Sequence, residues 1–162
     1  MTAPGNGSAP RYLHARTPVG ERPGSGEPPA GRGQGGPQVI AIYGKGGIGK
    51  SFSLANLSYM MAQQGKKVLL IGCDPKSDTT TLLFGGRACP TIIDTSAAKK
   101  LAGEPVRVED ICFKRDGVFA MELGGPEVGR GCGGRGIIHG FELLEKLGFH
   151  DWDFDYVLLD FL

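Results

Sequence analysis

Apolar positions along the chain gather into four short, nearly unbroken runs: Val39 to Tyr43, Val68 to Ile71, Val118 to Met121 and Tyr156 to Leu159. Runs of this length, rich in β-branched and aromatic residues and without polar alternation, predict strands buried on both faces. Between the first two, Leu54, Leu57 and Met61 recur at helical spacing; between the last two, Ile137, Phe141 and Leu144 do the same. Helices crossing over between buried strands predict an α/β fold: a mostly parallel sheet with helices on both faces.

The pattern fails before residue 38. Residues 1–37 hold seven of the eleven prolines and nine glycines and have almost nothing apolar to bury, which predicts a disordered leader. Its scattered arginines suit a solvated leader or a weak docking arm. The folded part is expected to begin near Gln38.

Composition narrows the rest only slightly. The 162 residues suffice for one domain with a core, and a formal net charge of +1 points to neither nucleic acid nor an anionic membrane as partner. No apolar run approaches the roughly 18 residues of a membrane span. The four cysteines, Cys73, Cys89, Cys112 and Cys132, form no CxxC pair and follow no secretion signal. A reducing cytoplasm is therefore expected, with Cys73, Cys89 and Cys112 as packing residues.

Chemistry concentrates in "GKGGIGKS", Gly44 to Ser51, between the first strand and the first helix. It fits a dinucleotide fingerprint at Gly44, Gly46 and Gly49, and a P-loop over its whole length. The residues directly after the last glycine separate the two. Lys50 and Ser51 supply a cation and a hydroxyl, which suit a triphosphate with magnesium better than a pyrophosphate against a helix start. The expected nucleotide contacts are Gly44, Lys45, Gly46, Gly47, Ile48, Gly49, Lys50, Ser51 and Phe52. Backbone N–H groups cradle the phosphates, Lys50 reaches the β and γ oxygens, and Ser51 ligates Mg²⁺.

The second strand ends in "GCDPKSDTTT", read as lying next to the P-loop strand with Asp74 and Asp78 at the mouth of the site. Carboxylates there can hold magnesium-bound water or orient an attacking one, although Asp78 before a threonine run also suits a helix N-cap. The last strand, "DYVLLDFL", runs into Asp160 in the manner of a Walker B strand, with Asp160 binding Mg²⁺ through water. The stretch "EVGRGCGGRG" sets Cys132 in a bed of five glycines. Such a thiol is either exposed or pressed against something that needs backbone at close range.

With its early lysine, "GKGGIGKS" resembles the deviant Walker A motif shared by nitrogenase-type iron proteins and partition ATPases. In that class the lysine matched by Lys45 crosses a dimer interface to the partner's nucleotide, which implies a homodimer; an exposed lysine is the plainer reading. From Gln38 onward the whole chain resembles the iron-protein family. The resemblance carries over to Asp74 as a water-orienting group, Lys76 as its neighbour, Asp78 as a magnesium-side contact, and Arg135 as a docking-surface arginine. It also implies that Cys132 is one of two thiolates per subunit, two subunits together holding one 4Fe–4S cluster. In the family a second cysteine follows the Walker B strand, so the chain reads as the N-terminal part of a longer ATPase domain, inactive alone.

Within the family, "LLFGGRACPTIIDTSAAKKLAGE" and "EKLGFHDWDFDYVLLDFL" are most similar to the chlorophyllide a reductase branch, ahead of the protochlorophyllide reductase and nitrogenase branches. Phe52, Ser77 and Arg130 depart from the nitrogenase pattern. The branch implies an ATP-dependent electron donor to catalytic YZ subunits, with chlorophyllide a as substrate and reduced ferredoxin as the donor. A partition-type ATPase without electron transfer is the reading from another class; it has no use for Cys132.

Overall fold

The computed structural model describes residues 24–26, 28–29, 35–125 and 133–161. Side chains of residues 24, 25 and 133–135 fall outside that description.

The four apolar runs become four parallel strands. These are β2 (Gln38–Ile42), β3 (Val68–Gly72), β5 (Val118–Glu122) and β6 (Tyr156–Asp160). Alternate residues of the buried strands feed two separate cores. Leu69, Ile71, Phe119, Met121 and Val157 point to one side, where α2 (Ile92–Ala102) and α3 (Gly133–Lys146) contribute Ile92 and Leu144. Val68, Leu70, Val118, Ala120 and Leu158 point to the other, against Leu54 and Ala55 of α1 (Lys50–Gln63). Burial on both faces leaves β3 and β5 no side for polar alternation, which is why their runs read as continuous; β2 departs from the expected burial, since it lies at the edge of the described sheet with Val39 58% exposed. The described chain is thus an α/β, P-loop NTPase-type fold with helices on both faces of a mostly parallel sheet.

With β1 (Gly24–Ser25) and β4 (Phe113–Arg115) included, the strand order, β1-β4-β5-β3-β6-β2, corrects one expectation. β3 does not lie next to the P-loop strand: β6 enters between them, pairing Val39 with Val157 on one side and Leu69 with Val157 on the other. The last strand therefore sits centrally, and its Asp160 lies level with Ile42 and Gly72.

Two strands were not foreseen. β4 (Phe113–Arg115) turns back antiparallel onto β5 through Asp116 and Gly117, both with positive φ (49° and 86°). Asp-Gly is the favoured pair for such a hairpin, because its twist matches that of the flanking strands. β1 (Gly24–Ser25) pairs antiparallel with β4. The N–H of Gly26 donates to Cys112 O at 3.0 Å, and that of Asp153 to Pro29 O at 2.7 Å. These leader residues depart from the expected disorder, and the ordered structure begins before Gln38.

Helix α2 was also unforeseen, although Thr91 and Asp94 mark its start. The Thr91 hydroxyl accepts from the Asp94 N–H at 3.0 Å and donates to the Asp94 carboxylate at 2.7 Å. Among the described residues, no helix is long and apolar enough to cross a membrane.

Candidate functional site

The site assembles where β2, β3, β5 and β6 end. After β2 the chain turns through Gly44–Gly49 into α1, and Gly49 takes φ 93°, a left-handed conformation that L side chains rarely adopt. The first turn of α1 holds no acidic residue, and no side chain caps its N–H groups. Those donors and the positive end of the helix dipole face the glycine loop, an arrangement that favours phosphate.

Lys50 is nine-tenths buried, and its ammonium donates to the carbonyl of Lys45 at 3.2 Å. The cation is thus held back along its own loop. Lys45, Gly46, Gly47, Ile48 and Phe52 are exposed. Tyr43 and Phe161 stack at 5.2 Å and 9° beside the loop, joining the ends of β2 and β6.

Asp160 is the centre of the site. It is 1% exposed, and its Oδ2 accepts from the Ser51 hydroxyl at 2.5 Å and the Thr79 hydroxyl at 2.8 Å. Its other oxygen, Oδ1, is buried without a partner. A carboxyl group with one open oxygen beside a P-loop hydroxyl fits a hydrated magnesium ion, which would supply the missing interaction. Among the described residues no three His, Cys, Asp or Glu side chains gather to hold a metal alone. The donor set thus suits a cation that brings phosphate and water as its remaining ligands.

The loop after β3 brings the other carboxylates. Asp74 is buried, and its Oδ1 accepts from the Lys76 N–H at 3.0 Å. Asp78 is exposed and starts no helix; its carbonyl accepts from the Thr81 N–H at 3.1 Å within a run of turns. Ser77 takes a positive φ of 52° between them.

Glu122 went unnoticed in the sequence, where it closes an apolar run. It is fully buried at the end of β5; Oε1 accepts from the Thr80 N–H at 2.7 Å and Oε2 has no partner. Burial pushes its carboxyl up to about 7, partly offset by the Thr80 hydrogen bonds and reinforced by the charges of Asp78 and Asp160. Room for it comes from Gly72, where a Cβ would fall 1.8 Å from Oε2. An acidic residue at the end of a strand level with Asp160 was the available signal.

Cys73, Cys89 and Cys112 are buried free thiols, each pushed up to about 12 chiefly by burial. Packing is their visible role. Cys132 and Arg130 lie outside the described residues, as does the side chain of Arg135. Helix α3 begins at Gly133.

Residues 38–162 match the family described as 4Fe-4S iron sulfur cluster binding proteins, NifH/frxC family. The chain is 90% identical over 125 residues to the chlorophyllide reductase 35.5 kDa chain of Cereibacter sphaeroides. It is 83% identical over 125 residues to the protein of the same name in Rhodobacter capsulatus. Each alignment covers 77% of this chain and 38% of the relative, so the chain spans well under half the length of these proteins. Among solved structures, the septum site-determining protein MinD of Pyrococcus horikoshii is 22% identical with a TM-score of 0.48, covering 76% of this chain and 48% of that one. A match running through the glycine loop, the aspartate loop and the strand of Asp160 leaves one conclusion: the chain belongs to the NifH/frxC family of 4Fe-4S iron sulfur cluster binding proteins.

Proposed function

We propose that the full-length protein is the ATP-dependent electron-donating component of a chlorophyllide a reductase. The observation that carries the nucleotide half is Asp160, which gathers Ser51 and Thr79 on one oxygen and keeps the other without a partner. The substrate half is supported by the name of relatives 90% and 83% identical to this chain.

In this reading the Lys50 ammonium exchanges the Lys45 carbonyl for the β and γ phosphate oxygens of ATP. Ser51 would hold Mg²⁺ through its hydroxyl and Asp160 and Asp78 through water, and the ion would supply charge to the phosphate oxygens. Asp74 orients the attacking water. Lys45, exposed at the loop, reaches the nucleotide of a second copy, so ATP favours the closed homodimer by contacting it better than the open one. Cys132 and a second thiolate from each subunit would hold a 4Fe–4S cluster, which supplies one-electron chemistry when bound. By the family resemblance Arg135 is assigned to the contact with the catalytic YZ subunits, and reduced ferredoxin is the upstream donor.

The test uses the full-length protein, purified anaerobically with the catalytic subunits and chlorophyllide a. Lys50→Ala should abolish MgATP-dependent reduction with iron content intact, and Cys132→Ser should lose iron while MgATP still binds. Reduction that proceeds equally without ATP would overturn the ATP-dependent half of this reading, and a Cys132→Ser protein with full iron and normal turnover would overturn the cluster assignment.

A further inference from the structure

The loop that carries Asp74 and Asp78 is fastened to β5 at two points. The Thr80 N–H donates to Glu122 Oε1 at 2.7 Å. Five residues earlier in the chain, Pro75 lies against the backbone of Gly125, where a Cβ would meet the proline Cα and Cβ at 3.3 Å. Thr79, next to Thr80, donates instead to Asp160 on β6. Adjacent threonines therefore tie one loop to the magnesium-side carboxylate on one strand and to Glu122 on another.

Glu122 is an expensive way to fill that space. A buried carboxyl with one oxygen unpartnered loses more solvation than its hydrogen bonds with Thr80 return, and an apolar side chain of the same size would pack there more favourably. The strand beyond it is held as firmly. The Leu123 N–H donates to Gly72 O at 2.9 Å, and the Leu123 carbonyl accepts from Ile93 N–H at 3.3 Å. Leu123–Gly125 thus leaves β5 tied on both sides, and in the sequence it leads toward Cys132.

We propose that Glu122 is a positioning residue that makes the Asp74–Thr80 loop and the exit of β5 move as one unit, so that nucleotide at the P-loop is felt at Leu123–Gly125. The proposal rests on the nucleotide site described above. Because the joint depends on reach to the Thr80 N–H, an amide of equal length replaces the carboxylate and a shorter carboxylate does not.

The experiment is amide hydrogen exchange on the full-length protein, with and without saturating MgADP, read at Leu123, Gly124 and Gly125. MgADP should change their exchange by about fivefold or more in the unsubstituted protein, the lower end of ordinary coupling between sites. Glu122→Gln should keep that response, since its Oε1 still accepts. Glu122→Asp should lose it while binding MgADP within about threefold of the original, a difference below typical coupling energies. If the aspartate variant does not fold, Pro75→Gly makes the second cut, removing the ring at Gly125; loss of the response supports the joint and retention overturns it. A full response in Glu122→Asp, or a lost one in Glu122→Gln, overturns the proposal. So does a large loss of MgADP affinity in Glu122→Asp, which would confine Glu122 to the nucleotide site. A protein that binds MgADP with no response at these amides defeats the coupling alone; one that binds no MgADP defeats the proposed function beneath it.

Discussion

Replacing Glu122 by glutamine should change how stability depends on pH. The folded protein holds this carboxyl at about 7, against 4.5 for the same group free of the fold, chiefly through burial. Between those values the folded state keeps a proton that the unfolded chain releases, so stability falls as pH rises through the window. The difference is about 2.5 units at about 1.4 kcal/mol each, or about 3 kcal/mol lost by pH 8 relative to pH 4. Glutamine keeps the acceptor for the Thr80 N–H and has no proton to lose. Urea unfolding of the nucleotide-free protein at several pH values, with and without the substitution, isolates the effect because all other titrating groups are common to both. The gap between the two should open by about 3 kcal/mol in favour of Glu122→Gln as pH rises from 4 to 8. Parallel curves across that range would show that the carboxyl is solvated in the native protein, and would refute its burial.

Other substitutions test other parts of the structure. Gly72→Ala places a Cβ 1.8 Å from Glu122 Oε2 and should cost about 1–3 kcal/mol by overpacking, read as a fall in unfolding midpoint; an unchanged midpoint would mean that the carboxyl moves aside freely. Thr91→Ala removes the cap of α2 and should cost about 1 kcal/mol in the same assay with MgATP binding unaltered. In the full-length protein, Lys45→Ala should leave MgATP binding within about threefold but abolish hydrolysis, since the proposed contact lies across the dimer and not in its own loop. Unchanged turnover would make Lys45 an ordinary exposed lysine.

What the sequence determined by itself is what lies close together along it. The glycine loop, Lys50 and Ser51 are contiguous, and strand followed by glycine turn followed by helix is a local arrangement fixed by backbone sterics, so the phosphate cradle is legible as text. β3 and β5 were legible because a strand covered on both faces must be apolar throughout, and β2 was legible from its apolar run although it lies exposed at the edge of the described sheet. Thr91 with Asp94, and Asp116 with Gly117, carry equally local signals for α2 and the β4–β5 hairpin, but α2 buries little beyond Ile92, and the three residues of β4 before Asp116 are too short a run to read as a strand.

Tertiary structure decided what depends on pairing between distant segments. That β6 enters between β2 and β3 follows from which strands bury each other best, and no local pattern encodes it. This insertion places Asp160 against Ser51, 109 residues away, and against Thr79, 81 residues away. Glu122 looked like the polar end of an apolar run; its burial comes from Gly72 on the next strand and the Thr80 N–H on a loop 42 residues earlier. A carboxylate's chemistry depends on which dipoles and charges surround it within a few ångströms, and only the folded chain chooses those neighbours.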